Sequence, residues 1–582
     1  MNPDIIFHPF VLPFVLGMAF VLTYCVVGLV RVIAQLPKDD RRKFWRSLVT
    51  PKTAWANIRD LIGDCLLHVK IWKRNPVLGY MHSAIAFGWF MIIAIGHVML
   101  FTLKPLEGVE VEGLERSFTN FYYPIFFKFF AEEGKIFGFL MDFFLLMIIS
   151  GILIAVVKKI HSKIVGVKRV TKFGFADNMI RFALWTIFPL RLIAEKTGIL
   201  GFWWAYSIDL CIFMCMLPFT RYMHIPTEVL FILLRHAGLN AREPRKGYAL
   251  AQIYSCPSCG LCIDACPMSV NDKNSGNTSA YFMKNLRNKD SEEAQRIAET
   301  CLMCGKCVMV CPVSIESCDI KWSQRAAVPY NINSDHSYLS VISTEAQRSG
   351  EISVTEPKVL YFAGCMTQLT PKIMRAMKKI MEAAGEEYEF LDKDGGICCG
   401  RPMILSGKAA EAKAMIEKNT ELIKKSGAKK LVLSCPICYK VFKDEYHLEG
   451  VEILHHTQYI DELVKTGKLK VNKNDVSYVY HDPCELGRAF GVYDEPREVI
   501  ENVGNLRKAK SEKELSICCG GSLGSFNLTQ QERDEITENS VNDLMFNNPD
   551  QIVTACPLCL KTFAKKSPVA VKDIAEIVAE NI

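Results

Sequence analysis

Two runs of four cysteines constrain this 582-residue chain more than any other feature. The first run, SCPSCGLCIDACPM, spans residues 255–268, and the second, TCLMCGKCVMVCPV, spans residues 300–313. Each reads C-x2-C-x2-C-x3-C-P. Three closely spaced thiolates can hold three corners of a cubane iron–sulfur cluster, while the fourth cysteine of each run reaches the other cluster. The spacing therefore predicts a ferredoxin segment with two 4Fe-4S clusters.

The crossed pattern also predicts which cysteines belong together. We expect the first cubane to be held by Cys256, Cys259, Cys262 and Cys311, and the second by Cys301, Cys304, Cys307 and Cys266. A four-cysteine zinc site is the alternative use of such a run, but two complete runs with their prolines favour iron. The spacer between the runs reads as helical, so the segment 245–322 resembles the α-helical ferredoxins of respiratory enzymes.

The residues before about 240 carry most of the apolar excess in a chain that is 50% hydrophobic. A helix needs roughly 20 apolar residues to cross the hydrocarbon core of a membrane. One run is interrupted by Arg181, Arg191 and Pro189 and is the weakest of the set. The pattern predicts an all-α transmembrane domain of five helices over residues 1–240, with spans at about 10–33, 77–103, 136–157, 177–195 and 199–220.

Charged residues between the spans predict the orientation. Ten Lys or Arg residues, from Lys38 to Arg74, lie between the first two spans, and a second basic group follows the third span. Loops rich in Lys and Arg stay in the cytoplasm. We therefore expect a multi-pass protein of the cell's inner (cytoplasmic) membrane, with its N-terminus outside and its iron–sulfur domains in the cytoplasm. The net charge of +7 is modest and unevenly placed, and we expect no nucleic-acid partner.

An internal repeat follows a polar segment at 323–355, which reads as a linker. AKKLVLSCPICYKVF (428–442) aligns with PDQIVTACPLCLKTF (549–563), and GGICCGRP (395–402) aligns with LSICCGGS (515–522). Strand-like runs alternate with amphipathic helices, which indicates two α/β domains, at 356–470 and 471–582. Each repeat has five cysteines: Cys365, Cys398, Cys399, Cys435 and Cys438 in the first, and Cys484, Cys518, Cys519, Cys556 and Cys559 in the second.

These repeats resemble the CCG domain of the heterodisulfide reductase family, whose pattern is C-x31-38-C-C-x33-34-C-x-x-C. The first gap is 32 and 33 residues here, and the second is 35 and 36, slightly longer than in the family. The resemblance covers residues 250–582 and implies that these cysteine sets hold one or two further iron–sulfur clusters, which in that family can be non-cubane.

Two histidines at the cytoplasmic edge of the predicted membrane domain suggest a haem. A histidine inside a span is costly and is by default a functional residue. His82 lies near the start of the second span, and His224 lies just after the fifth. The five-span layout resembles the cytochrome b subunits of respiratory nitrate reductase and of membrane heterodisulfide reductase, whose haem ligands come from the second and fifth helices. The resemblance implies one haem b held by His82 and His224, and the alternative is a pair of interfacial histidines.

Other polar and cysteine residues have less specific interpretations. His97, Asp142 and Asp209 could form a protonatable cluster that serves quinone chemistry, or a satisfied polar network in the outer half of the bundle. We interpret His455 and His456 as core or turn residues. The five cysteines outside the motifs are expected to be structural: Cys25, Cys65, Cys211, Cys215 and Cys318.

Together these features predict a membrane-bound iron–sulfur and haem oxidoreductase, similar to electron-transfer-flavoprotein:menaquinone oxidoreductases. It would pass electrons between the membrane quinone, menaquinone by family analogy, and a soluble flavoprotein such as an electron-transferring flavoprotein or a flavin dehydrogenase. No Rossmann fingerprint is found, so flavin chemistry would belong to the partner. Two alternatives stay open: a disulfide reductase that uses a CCG cluster, and a non-catalytic electron-relay subunit of a larger respiratory complex.

Overall fold

The computed structural model describes residues 9–102, 135–160, 171–239, 246–270, 272–327, 358–393, 397–522 and 528–582. The predicted linker, apart from residues 323–327, and the end of the predicted second span at residue 103 lie outside the described residues. The chain divides into two compact units. The first comprises Met1–Asp264, Leu286–Asn288 and Cys311–Glu316, and the second comprises Ala265–Asn285, Lys289–Val310 and Ser317–Ile582. The ferredoxin segment therefore contributes to both units.

The first unit is helical in its described residues. Its α-helices are α1 (Leu12–Ala34), α2 (Lys38–Val49), α3 (Pro51–Asp60), α4 (Val69–Trp72), α5 (Pro76–Thr102), α6 (Lys135–Ile160), α7 (Phe175–Thr197), α8 (Leu200–Met216), α9 (His224–Arg235), α10 (Gly247–Ser255) and α11 (Leu261–Ala265), the last of which ends at the boundary with the second unit.

Four helical stretches of the described chain are long and apolar enough to cross a membrane: Pro9–Ala34, Pro76–Val98, Ile136–Ile160 and Leu200–Phe219. These helices indicate that the protein is associated with a membrane. The predicted fourth span, 177–195, does form a helix, α7, but α7 is not among the four, so the count of five spans is not confirmed.

Helix α7 nevertheless packs as an inner helix of the unit. Its Arg191 pairs with Glu195 at 2.8 Å, and both side chains are almost fully buried. The pairing lets this stretch of α7 enter the packed interior, because a buried charge requires a partner. Gly198 (φ +68°) ends α7 in the left-handed conformation, and α8 begins two residues later. Helices joined by so short a connection are antiparallel neighbours.

Glycines allow the apolar helices of the first unit to approach closely. A Cβ at Gly17 of α1 would lie 2.9 Å from the Cα of Cys211 in α8. A Cβ at Gly151 of α6 would lie 3.0 Å from the carbonyl oxygen of Met81 in α5. Close backbone contact through small residues is the usual way in which helices pack inside a membrane.

The second unit begins with helices of the ferredoxin segment and continues with two parallel sheets. The first helices are α12 (Ser279–Arg287), which ends at the unit boundary, α13 (Ser291–Thr300), α14 (Lys306–Met309) and α15 (Ser317–Ala327). Helix α15 extends to Ala327 and so occupies the first residues of the segment that the sequence predicted to be a linker.

Each repeat forms a four-stranded parallel sheet covered by helices. The first sheet contains β1 (Val359–Phe362), β2 (Tyr388–Phe390), β3 (Lys430–Leu433) and β4 (Glu452–His455), in the order β2-β1-β3-β4, with α16 (Cys365–Gln368), α17 (Pro371–Ala383), α18 (Arg401–Leu405), α19 (Ala409–Ser426), α20 (Pro436–Asp444) and α21 (His456–Lys465). The central strand β1 is buried along its whole length, as expected for a parallel strand covered on both faces.

The second sheet repeats this topology. It contains β5 (Ser477–His481), β6 (Asn505–Arg507), β7 (Gln551–Thr554) and β8 (Ala570–Asp573), in the order β6-β5-β7-β8, with α22 (Gly487–Phe490), α23 (Asp494–Val503), α24 (Gln530–Leu544), α25 (Pro557–Phe563) and α26 (Ile574–Glu580). Both repeats therefore have the α/β architecture that the sequence predicted.

Candidate iron–sulfur and haem sites

The two ferredoxin runs share the same local backbone conformation. Between the first and second cysteine of each run, Ser258 (φ +51°) and Met303 (φ +55°) occupy the left-handed region. The residue after the second cysteine, Gly260 or Gly305, is also left-handed. A left-handed residue other than glycine costs roughly 1–3 kcal/mol and persists only where its surroundings enforce it. These bends fold each run back on itself and draw its thiols together.

The predicted ligands of the first cubane all lie in the first unit. Cys311, from the second run, is close enough to Cys256 and Cys259 of the first run to interact with them electrostatically. Its Sγ accepts a hydrogen bond from the Ile315 amide at 3.5 Å. Burial raises the pKa of the Cys311 thiol to about 12, so iron has to displace a proton to bind there.

The predicted ligands of the second cubane all lie in the second unit. Cys266, from the first run, interacts electrostatically with Cys301, Cys304 and Cys307 of the second run. The thiol of Cys318 lies within hydrogen-bond reach of Cys307. The sequence interpretation placed Cys318 among the ordinary structural cysteines, because nothing in its spacing marks it as a neighbour of the run.

The strand order explains where the CCG cysteines converge. Cys365 follows β1, and Cys435 follows β3. These strands are adjacent and parallel. The chain continues from β1 to β2 at one edge of the sheet and from β3 to β4 at the other edge. In open parallel sheets, ligands bind beyond the carboxyl ends of the strands at such a switch point. Cys484 and Cys556 follow β5 and β7 in the same way.

The five cysteines of the first repeat form a continuous series of contacts. Cys398 lies within hydrogen-bond reach of Cys365 and Cys399, and Cys438 lies within reach of Cys399 and Cys435.

A glycine keeps this ligand space open. A Cβ at Gly364 (φ +83°) would lie 2.8 Å from Cys438 Sγ. Among the described residues no three His, Cys, Asp or Glu side chains are arranged to hold a single metal ion. The cysteine sets fit a multinuclear cluster, whose ligands bind separate irons.

All five cysteines of the second repeat line one cavity of the second unit. Cys519 and Cys559 approach to 3.3 Å. The first repeat contributes Leu405, Pro436 and Ile437 to the wall of the same cavity. Cys304, a predicted ligand of the second cubane, lies within hydrogen-bond reach of Cys518, so the second cubane and the second CCG set are direct neighbours.

The two predicted haem histidines lie around one cavity of the first unit. His82, His224 and Cys259 all line it, together with His68. Two basic residues, Lys70 and Lys158, and two acidic residues, Asp64 and Glu228, also line the cavity, and Lys70 pairs with Asp64 at 2.7 Å.

The imidazole of His224 is oriented and in the tautomer needed to bind a metal through Nε2. Its Nδ1 donates to the Arg221 carbonyl at 2.7 Å, which leaves Nε2 without a proton and free to bind. Burial lowers the pKa of His224 to about 4, so the ring is neutral near pH 7. The ring of His82 stacks on His68, with centroids 5.3 Å apart.

His68 is a residue of this cavity that the sequence interpretation missed. It adopts a left-handed conformation (φ +50°), which marks a strained position. The only sequence signal that could have found it is a histidine in the cytoplasmic loop shortly before the span of His82.

The three polar residues predicted for the outer half of the bundle have protein partners. His97 Nδ1 donates to the Ile93 carbonyl of its own helix at 2.8 Å. Asp142 pairs with Lys196 at 2.9 Å, and Asp209 accepts a hydrogen bond from Thr186. These contacts favour the satisfied polar network over a protonatable cluster.

His455, His456 and four of the cysteines outside the motifs lie in positions typical of structural residues. His455 and His456 are fully buried, and His455 caps helix α21, as expected of core or turn residues. Cys25, Cys211 and Cys215 lie in apolar helices, and Cys65 lies in a π-helical turn, Leu61–Leu66.

Comparison with known proteins supports the iron–sulfur domains. The 4Fe-4S dicluster domain family matches residues 252–315, and the cysteine-rich domain family matches residues 359–443 and 478–564. The prediction of a two-cluster ferredoxin segment followed by two CCG domains is therefore confirmed.

Three curated relatives illustrate the similarity. "EtfAB:quinone oxidoreductase" of Syntrophomonas wolfei is 33% identical over 36% of this chain and 31% of its own length. A component of the dihydromethanophenazine:CoB--CoM heterodisulfide reductase of Methanosarcina acetivorans is 29% identical over 38% of this chain and 58% of its own length. "Probable iron-sulfur-binding oxidoreductase FadF" of Bacillus subtilis is 26% identical over 57% of this chain and 46% of its own length.

The chain thus matches about a third to three fifths of the length of these relatives. It is related to iron–sulfur oxidoreductases of the heterodisulfide reductase type, as the CCG resemblance indicated.

Proposed function

We propose that this chain is a membrane-bound oxidoreductase that passes electrons between a soluble flavoprotein and the membrane quinone. The observation that carries the proposal is the cavity lined by His82, His224 and Cys259. It supports a haem b site directly beside a ligand of the first cubane. A haem there supplies one-electron transfer at the edge of the membrane domain.

The second unit supports the cytoplasmic end of the path. Cys304 adjoins Cys518, which favours electron exchange between the second cubane and the second CCG cluster. The relative whose name pairs EtfAB with a quinone supports a soluble flavoprotein as the partner at this end. Quinone reduction takes up two electrons and two protons, whereas each cubane carries one electron at a time, so a chain of one-electron centres has to deliver them in sequence.

The remaining features of the proposal follow the sequence. We assign menaquinone as the quinone and place the N-terminus outside the inner membrane, with the iron–sulfur domains in the cytoplasm. The basic residues between the first two apolar helices support this orientation. The chain carries two cubane clusters, one or two CCG clusters that can be non-cubane, and one haem b.

Re-oxidation of the purified chain tests the reaction. The full chain is purified anaerobically, reduced with dithionite, freed of excess reductant and mixed with a water-soluble menaquinone analogue. We expect the iron–sulfur and haem signals to re-oxidise many times faster with the quinone than with a low-molecular disulfide or with buffer alone. Equal rates with quinone and with buffer would refute quinone chemistry and favour the relay subunit.

Haem content tests the histidine assignment. We expect His82→Ala and His224→Ala each to abolish the haem measured as the pyridine haemochrome. His97→Ala is the matched control, because His97 lies on the same helix but bonds to its own backbone. Full haem content in His82→Ala, or an equal loss in His97→Ala, would contradict the assignment.

A disulfide reductase is the second candidate. The cavity lined by all five cysteines of the second CCG set favours it, because a substrate disulfide could reach the cluster there. Rapid re-oxidation by a disulfide, lost in Cys519→Ser, would establish this activity in place of the first.

A further inference from the structure

One face of helix α15 is directed at the predicted ligands of the second cubane. Cys318, Lys321 and Arg325 follow one another at intervals of three and four residues, which places them on one side of a helix. Cys318 lies against Cys307. Arg325 donates to the Cys301 carbonyl at 3.0 Å.

Lys321 makes the most direct contact of the three. Its Nζ donates to Cys301 Sγ at 3.3 Å and to Ser279 Oγ at 2.8 Å. Its side chain is 2% exposed, and its ammonium lies 5.5 Å from the centre of the Phe282 ring. The ammonium is therefore removed from water and held between a cluster ligand, a hydroxyl and an aromatic face.

The surroundings suit a charged lysine. Its Nζ lies at hydrogen-bond distance from a ligand sulfur and a hydroxyl and faces an aromatic ring, all of which interact favourably with an ammonium. The first cubane also has cations near its predicted ligands: Arg74, Lys158 and Arg287 interact with them electrostatically. Lys321 differs in that its ammonium lies at hydrogen-bond distance from a ligand sulfur.

A buried cation next to a cluster changes its reduction potential. Reduction adds one electron to a 4Fe-4S cluster and so adds one negative charge to the assembly. A fixed positive charge at hydrogen-bond distance stabilises the reduced form more than the oxidised form, and screening is weak where water is excluded. Hydrogen bonds to the sulfurs act in the same direction.

We propose that Lys321 is a positioning residue that raises the reduction potential of the second cubane. The proposal rests on the iron–sulfur assignment above but not on the quinone or the haem. It therefore stands even if quinone fails to re-oxidise the protein.

Potentiometric titration of the full chain, followed by electron paramagnetic resonance, tests the proposal. We expect Lys321→Met to lower the midpoint potential of one cubane. At a fixed potential, the ratio of the reduced to the oxidised form of that cubane should fall at least tenfold, which corresponds to a midpoint shift of about 59 mV for one electron. The other cubane serves as the internal reference and keeps its midpoint. Repeating the titration in Cys311→Ser, which by our assignment retains only the second cubane, identifies the centre that shifts.

Two variants separate charge from structure. Lys321→Arg keeps the positive charge, and we expect it to stay close to the wild-type midpoint, whereas Lys321→Gln keeps a donor without the charge and should shift as Lys321→Met does. Unchanged midpoints in both neutral variants, or equal shifts of both cubanes, would overturn the proposal. So would loss of the second cubane in both neutral variants with retention in Lys321→Arg, because the lysine would then be needed for assembly.

Discussion

Cys311 and Cys266 each lie in the run opposite to the cluster that we assign to them. We expect Cys311→Ser to remove the first cubane and Cys266→Ser to remove the second, because each is the fourth ligand of a set held in one unit. Iron content and the resonance signals of the reduced protein measure the losses. If Cys311→Ser removed instead the cubane that is also lost in Cys304→Ser, the crossed assignment would be wrong.

Ligands with a fixed spacing were readable from the sequence, whereas groups that act on ligands were not. The interval between Cys256 and Cys259 is imposed by the cluster itself, so it appears directly in the chain. Lys321 reaches Cys301 only because α15 packs beside the second run. His68 reaches His82 only because its own backbone adopts a left-handed turn. Contacts of this kind depend on tertiary packing and leave no periodic signal.

Helix α7 decides the topology at the scale of secondary-structure elements. The tight turn at Gly198 makes α7 and α8 antiparallel neighbours, so a membrane crossing by α8 requires one by α7. We expect a reporter inserted at Gly198 to be active only as an extracytoplasmic enzyme, and one inserted after Lys172 only as a cytoplasmic one. Cytoplasmic activity at both positions would exclude α7 as a span.

The last helix, α26, provides a pH-dependent element. Asp573 is its N-cap, and the Asp573 amide donates to Glu576 in a capping box. Burial and, next, the charge of Asp573 raise the pKa of Glu576 from 4.5 to about 7, with Lys372 opposing and Glu580 adding to the shift. A carboxyl with a raised folded pKa contributes stability that is complete below its unfolded pKa of 4.5 and is lost as the pH rises through about 7.

We therefore expect Glu576→Gln to lessen the fall in thermal midpoint between about pH 5 and about pH 8. Glutamine keeps the shape and the capping bond but cannot ionise. Glu421→Gln, at an exposed position of helix α19, is the control and should follow the wild type. The test fails if the two variants show the same dependence. His456, which lies 3.0 Å from Asp573, is common to all three proteins and cancels in the comparison.

Helices and strands with an uninterrupted sequence pattern were predictable, whereas those whose pattern is interrupted were less so. The apolar run of α1 is long enough to identify a span without further information. Helix α7 is ambiguous in sequence because Arg191 interrupts it, and only the fold shows that Glu195 neutralises that charge. The strands were indicated by their alternation with helices, but their parallel pairing and their order in the sheet come from the structure.

The two units of the chain do not follow the order of its sequence motifs, because each unit includes part of the ferredoxin segment. Membrane, ferredoxin and CCG signals follow one another along the chain, which predicts separate domains. The ferredoxin segment instead contributes Cys311–Glu316 to the first unit and Lys289–Val310 to the second. This division follows from the crossing of the fourth ligands, so that each unit contains one complete set of cubane cysteines.

This division predicts which single substitutions interrupt electron transfer between the haem and the iron–sulfur centres of the second unit. In Cys259→Ser, which lacks the first cubane, a menaquinone analogue should re-oxidise the haem of the dithionite-reduced protein and leave the centres of the second unit reduced. In Cys519→Ser, which lacks the second CCG cluster, the haem and both cubanes should re-oxidise. Optical spectra follow the haem, resonance spectra follow each cluster, and Cys25→Ser, in an apolar helix, is the control. Re-oxidation of the second unit at the wild-type rate in Cys259→Ser would mean that electrons bypass the first cubane, because on the proposed path only that cubane connects the haem to the centres of the second unit.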